Sequence, residues 1–133
     1  MTDDRVAWLT AQLDDDERVA RAAADCGPEW RFSEGAIYPS DVDRHPGALI
    51  HGGYDYLDDQ YGEHIARHDP ARVLRRVAAG RKILAKYQGA LMQEPKRPDD
   101  QVNRGYLIAM SQAVSALTTE YDDRPGYQEG WRV

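Results

Sequence analysis

Two histidines four residues apart, His64 and His68, are the residues best spaced to do chemistry together. Residues at i and i+4 of a helix lie on one face, so both imidazoles would point the same way. Imidazoles and carboxylates bind divalent metals, and Glu63 and Asp69 adjoin the pair. The segment therefore predicts a metal or small-ligand site formed by His64, His68, Glu63 and Asp69. The alternative is that His68 lies in a turn and the two rings do not converge.

Catalysis has less support than ligand binding. Imidazole titrates near neutral pH, so His45 and His51 are candidate general bases. No nucleophile lies in an activating context, because Cys26 has no indicated base and the serines lie in no nucleophile-elbow motif. We therefore expect no catalytic residue, no cofactor and a protein that is not an enzyme.

Positive charge is concentrated in one part of an acidic chain. The net charge is −6, yet residues 64–97 contain nine lysines or arginines and only two acidic residues. An exposed basic helix would attract phosphate, nucleic acid or an acidic partner. The alternative is that these cations pair with acids of the N-terminal helix, such as Asp14–Glu17. Net acidity argues against a general nucleic-acid binder. The cations we single out for such contact are Arg72, Arg75, Arg76 and Lys82.

Three long amphipathic helices are expected to position these residues. The first covers about 3–24, where apolar residues recur every three or four positions before Gly27-Pro28. The second covers about 70–92, because Asp69 can cap its first turn and Pro70 fits its first position. The third covers about 100–120 after a cap at Asp99 or Asp100. Its expected core positions are Val102, Tyr106, Ala109, Ala113 and Leu117.

Residues 29–57 have the alternating pattern of strands. Trp30 and Phe32 alternate with polar neighbours, and a turn at Ser33–Gly35 precedes a returning strand. Ala48–Ile50 predicts a third strand, and Tyr54–Leu57 is a candidate for a fourth. We therefore predict an α+β fold in which a small antiparallel sheet packs with the three helices.

Length and composition fit one soluble domain. A chain of 133 residues can bury a core without disulfides or a structural metal, so we predict a single domain over residues 1–133. Cys26 is the only cysteine, which favours a reducing compartment. No apolar stretch approaches the length of a membrane span. The sequence thus predicts a cytoplasmic protein that does not contact membranes.

Three patches of the chain carry a family resemblance. The first is an acidic helix followed by Gly27-Pro28 and Trp30; the second is His64–Leu74; the third comprises Tyr121, Pro125, Tyr127 and Trp131. Together they resemble a small-protein family of unknown function that is widespread in actinobacteria and related to phage proteins. Asp25-Cys26 departs from the family's Thr-Pro, and Arg124 stands where a histidine is common. The resemblance implies an α+β domain of prokaryotic or phage origin and assigns no catalytic residue.

An ordered fold without marked chemistry favours a binding or regulatory role. The chain has eight tyrosines and three tryptophans. These side chains provide a large contact area and a hydrogen-bonding group at interfaces. The alternative is that these rings fill the core. The aromatics we single out as interface or structural residues are Trp30, Tyr54, Tyr56, Tyr127 and Trp131. We expect a non-enzymatic accessory protein that binds an unknown protein partner or a second copy of itself.

Overall fold

A computed structural model describes residues 3–52 and 56–132 as an α+β fold. The elements in chain order are α1 (Asp4–Ala23), β1 (Trp30–Ser33), β2 (Ala36–Pro39), β3 (Ile50–His51), α2 (Asp59–Arg67), α3 (Pro70–Gln93) and α4 (Gln101–Thr119). Two short 3-10 turns, Glu94–Lys96 and Glu129–Trp131, follow α3 and α4. The predicted fold class is confirmed, and α2 is a helix that the sequence pattern did not predict.

The fold divides into two compact units, and the divisions fall inside α1 and α3. The first, which we call the helical unit, consists of Met1–Asp14 and Ala78–Val133. The second, the sheet unit, consists of Asp15–Val77. The single domain expected from chain length stays a prediction.

The sheet unit contains an antiparallel sheet with the strand order β1-β2-β3. Glu34 and Gly35 both have positive φ angles, which is the geometry of a tight two-residue hairpin turn between β1 and β2. Ile37 on the central strand is fully buried and lies opposite Ile50 of β3. The predicted hairpin and the presence of a third strand are therefore confirmed, although β3 comprises Ile50–His51 rather than Ala48–Ile50.

The candidate fourth strand does not form where the structure describes it. Tyr54 and Asp55 lie outside the described residues, and Tyr56 and Leu57 are not in a strand. Leu57 instead donates its backbone N–H to the Gly35 carbonyl over 2.8 Å, which ties the segment before α2 to the hairpin turn.

Helix α2 packs on the sheet through a glycine. A β-carbon at Gly62 would collide with the ring of Phe32 on β1, so only glycine allows this approach without rearrangement. Phe32 thus packs against a helix as predicted, but against α2 rather than one of the three long helices.

In the helical unit, the buried apolar stripe of α1 packs with α3 and α4. Leu9, Leu84 and Val114 belong to its core. A β-carbon at Gly80 would lie 3.1 Å from the Leu13 side chain, which explains why α3 tolerates a glycine in its interior. Gly80 therefore permits close packing of α3 against the Leu13 side chain of α1.

The core face of α4 is not the one that the sequence pattern indicated. Val102, Tyr106 and Ala109 are exposed, whereas Ala113 and Leu117 are half-buried. The buried residues are Val114, Ser115 and Thr118. The expectation for the first half of the helix was therefore wrong, because the inward side of α4 includes Ser111, Ser115 and Thr118, whose hydroxyls are hydrogen-bonded there.

Candidate functional site

A buried arginine determines which side of α4 faces inward. Arg5 is 9% exposed, and its Nη1 donates to Ser115 Oγ over 2.6 Å and to the Ser111 carbonyl over 3.1 Å. Its Nη2 donates to Ser111 Oγ over 2.9 Å. A buried guanidinium requires such acceptors, so the serine side of α4 lies towards α1.

Asp3 and Tyr87 complete the cluster around this guanidinium. Arg5 Nη2 lies 2.6 Å from Asp3 Oδ2 and 3.0 Å from the Tyr87 hydroxyl, which itself donates a short hydrogen bond to Asp3. The Arg5 hydrogen bonds lower the pKa of Asp3 to about 2, against the opposing effect of burial. Burial raises the pKa of Tyr87. Every guanidinium nitrogen has an acceptor, so the cluster stabilises the fold and does not offer an anion site.

The buried hydroxyl of Thr118 is hydrogen-bonded within its own helix. Its Oγ1 donates to the carbonyls of Val114 and Ser115 within α4, over 3.0 and 2.8 Å. Together with the Arg5 contacts, this makes burial of a polar helix face possible. The inward side of α4 therefore combines these hydroxyls with the apolar side chains of Leu107, Met110, Val114 and Leu117, and an uncharged side made mainly of small residues faces outward.

That outward side forms what we call the α4 seam. It consists of five exposed residues: Val102, Gly105, Ala109, Gln112 and Ala116. Their spacing alternates between three and four residues, which is the pattern with which one helix faces another in a coiled coil. None is charged, and a β-carbon added at Gly105 would meet nothing within 4 Å. The α4 seam is therefore an open, uncharged surface that a second helix can approach closely.

Larger apolar side chains flank the α4 seam. Val102 within it is 83% exposed, and Ile108 and Tyr106 beside it are 56% and 44% exposed. Arg104 is the only charged residue of α4, and it turns away towards Glu94 Oε1 at 3.3 Å and the Pro98 carbonyl at 2.9 Å. In a chain with 30% charged residues, α4 thus exposes an uncharged and partly apolar face.

An open groove lies elsewhere in the helical unit, between the start of α1 and the end of α3. Its volume is about 390 Å³, and its lining includes Asp3, Val6, Leu91 and Met92. Met92 is 66% exposed. The carboxylate of Asp3 is already held by Arg5, so the groove is mainly an apolar depression.

The predicted histidine pair does come together in the sheet unit. The ring centroids of His64 and His68 are 4.4 Å apart with their planes tilted by 34°, and both side chains are exposed. His68 Nδ1 lies 2.8 Å from the His64 carbonyl. Because a carbonyl only accepts, Nδ1 carries the proton and Nε2 remains available to a ligand.

The carboxylates of Glu63 and Asp69 do not form a shared ligand site with the two histidines. Asp69 is buried, and its two oxygens accept from the backbone N–H groups of Arg72 at 2.9 Å and Trp30 at 3.0 Å. It therefore caps α3 and ties the start of β1 to it. Glu63 is exposed. Among residues 3–52 and 56–132, no group of three or more histidine, cysteine or acidic side chains is placed to hold a metal ion.

The basic residues singled out from the sequence all lie on α3. Those in the sheet unit are Arg72, Arg75 and Arg76, and Lys82 belongs to the helical unit; each is exposed. Another cation of α3, Arg81, lies 2.8 Å from Asp14 of α1. This contact is the pairing with the acidic N-terminal helix that the charge pattern left open.

The C-terminal aromatics pack against α1 within the helical unit. The ring of Trp8 lies 5.9 Å from that of Tyr127 and 5.3 Å from that of Trp131, measured between centroids. Trp8 Nε1 donates to the Pro125 carbonyl over 3.0 Å. Tyr127 and Trp131 therefore have a structural role in holding the C-terminal segment. In the sheet unit, Trp30 is half-buried and Tyr56 is exposed.

The comparison with known proteins identifies a family. The family model of DUF6221, a family of unknown function, matches residues 2–133. The chain belongs to this family. No curated protein and no solved structure matches it. Membership in DUF6221 agrees with the resemblance to a family of unknown function, and it assigns no activity to any residue.

Sequence reasoning did not find the Arg5 cluster or the α4 seam of this DUF6221 chain. Arg5 lies four residues before Leu9 and eight before Leu13, so it occupies the same helical stripe as two core leucines. A charged residue on a core stripe signals a buried polar contact. None of the described helices has the length and apolarity needed to cross a bilayer.

Proposed function

We propose that this DUF6221 chain is a non-enzymatic accessory protein that binds a protein partner through the α4 seam. The observation that carries this proposal is the exposure of an uncharged helix face in an otherwise highly charged chain. Covering Val102, Ile108 and Tyr106 would remove apolar area from water, which is the main driving force of protein association. Charged side chains, which would oppose such burial, are absent from this face.

The partner that fits this surface presents a helix or a flat apolar patch. Gly105, Ala109 and Ala116 leave shallow space along the α4 seam, so a partner's larger side chains can enter it. A regulatory role would follow if a partner bound reversibly to this face.

We further propose that the protein acts in the cytoplasm of an actinobacterium or of its phage-infected cell, on the basis of the family resemblance and the buried, unpaired Cys26.

The proposal is tested by capturing proteins on three immobilised chains: wild type, Ala109→Asp and Ala79→Asp. Both alanines are exposed within helices of the helical unit, so the two substitutions have similar intrinsic effects on helix stability. We expect a protein retained by the wild type and by Ala79→Asp to be lost on Ala109→Asp. Identical protein sets on all three chains would contradict the proposal.

The proximity of His64 and His68 favours a second candidate function, binding of a divalent transition metal. Two imidazoles four residues apart can supply two ligands, and water or another molecule would have to supply the rest. Calorimetric titration with Zn²⁺ should detect one weak site that disappears in the His64→Ala/His68→Ala variant. It should persist in the control His45→Ala/His51→Ala. Equal binding by both double variants, or none by the wild type, would exclude this candidate.

A further inference from the structure

We propose that the occupant of the α4 seam is a second copy of this chain, paired antiparallel with the first. This inference rests on the proposed function and deepens it by naming the partner. The two copies would be related by a twofold axis near Ala109, so that each residue of one α4 faces the residue equally far beyond Ala109 on the other.

The two ends and the centre of the α4 seam are self-complementary in this arrangement. Val102 lies seven residues before Ala109, and Ala116 lies seven residues after it. Antiparallel pairing therefore places the largest apolar side chain of one copy opposite a small one of the other, at both ends. At the centre, Ala109 faces Ala109, and this lets the two helix backbones come close together.

The helix dipoles favour the antiparallel direction over the parallel one. In an antiparallel pair, the partial positive charge at the N-terminus of each α4 lies beside the partial negative charge at the C-terminus of the other. The side chains at the two ends do not add to this preference. Before the helix, Lys96 and Arg97 are offset by Glu94, Asp99 and Asp100. After it, Asp122 is paired with Arg132 of its own chain at 2.8 Å.

The lack of charge on the face explains why two acidic chains can meet there. Each copy has a net charge of −6, so two copies repel each other at long range. The α4 seam contributes no charge of either sign, and Arg104 is directed to Glu94 of its own chain. An oppositely charged partner gains nothing from this face, whereas a second copy avoids repulsion.

The size of the face predicts a reversible dimer. A helix of 19 residues offers a face about 28 Å long and about 10 Å wide, or roughly 300 Å². Standard interfaces bury about 800 Å² per partner, so α4 alone is at the weak end of specific association. We therefore expect dissociation in the micromolar range or weaker.

Disulfide trapping tests both the partner and its direction. Full-length Val102→Cys and Ala116→Cys chains are mixed in equal amounts under mild oxidation, and each is also oxidised alone. Antiparallel pairing brings residue 102 near residue 116, within the short reach of a disulfide, so the mixed dimer should predominate. Ala79→Cys, at an exposed position outside the α4 seam, measures random collision. The native Cys26 is buried and burial raises the pKa of its thiol, so the wild type should give no dimer.

Each outcome decides the inference. A mixed disulfide well above the Ala79→Cys background supports it. Predominant dimers of Val102→Cys alone indicate a parallel pair and overturn it, as do yields no greater than the background. The proposed function would survive that failure if Ala109→Asp still abolished capture of another protein, because the face would then bind a different partner.

Discussion

At the scale of single residues, Arg5 determines which side of α4 is buried. Its guanidinium needs several acceptors inside the helical unit, and Ser111 and Ser115 supply them from α4. Arginine suits this role because its planar group presents five donors in fixed directions, which a lysine could not reproduce. The exposed α4 seam is thus a consequence of a polar contact on the opposite side of the same helix.

The ion pair of this cluster predicts a pH dependence of stability. The pKa of Asp3 is lowered from its ordinary 3.8 to about 2 in the folded chain, mainly by hydrogen bonds from Arg5. A lowered folded-state pKa stabilises the protein at pH values above the unfolded pKa. That contribution, about 2 kcal/mol, is lost as the pH falls from about 4 to about 2.

Replacing Asp3 by asparagine should therefore lower the free energy of unfolding by about 2 kcal/mol or more at pH 7, because Arg5 also loses its counter-ion. At pH 2 the difference from the wild type should be much smaller. Urea unfolding followed by circular dichroism measures both. The control is Asp4→Asn, an exposed neighbour in the first turn of α1, for which we expect less than about 1 kcal/mol. Equal losses for the two variants at pH 7 would contradict this account.

At the scale of elements, the boundaries of the three long helices α1, α3 and α4 were predictable because their signals are local. Asp69 before Pro70 and Asp100 before α4 are each identified by residue type and by the hydrogen bond that a cap must accept. The core face of α4 was not predictable in this way. Its outward and inward stripes both contain apolar residues at helical spacing, and the choice depends on Arg5, which is more than one hundred residues away in sequence.

The two caps are expected to contribute unequally. Asp100 accepts one backbone N–H, that of Asn103, whereas buried Asp69 accepts two, those of Arg72 and Trp30. Asp100→Ala should lower the free energy of unfolding by about 1 kcal/mol. Asp69→Ala should lower it by about 2 to 4 kcal/mol, since it also leaves the partly buried N–H of Trp30 without an acceptor.

Chemical denaturation of the two variants under the same conditions makes this comparison. An Asp69→Ala loss no larger than that of Asp100→Ala would mean that the Trp30 contact does not contribute. The comparison also bears on the histidine site, because a cap that stabilises the fold is a poor candidate for a metal ligand. The histidine spacing correctly predicted that the two rings come together. It did not predict that the Asp69 carboxylate would accept hydrogen bonds from the backbone of Trp30 and Arg72.

At the scale of the whole molecule, the uncharged α4 seam is the feature that distinguishes this chain from a merely stable acidic domain. A weak self-association makes the oligomeric state depend on protein concentration, and any process that raises the local concentration would favour the dimer. Sequence alone could not predict the exposure of the α4 seam, because the same residues would be expected in a core. Only the three-dimensional arrangement shows which apolar stripe is left exposed.

Sedimentation equilibrium of the purified wild-type chain, from low micromolar to near millimolar concentration, tests the central claim most directly. We predict a mass that rises with concentration from one chain towards two, unchanged behaviour for Ala79→Asp and a strictly monomeric Ala109→Asp. A wild-type chain that stays monomeric over this range, or an Ala109→Asp variant that dimerises as the wild type does, would contradict the claim that copies of this protein meet through the α4 seam.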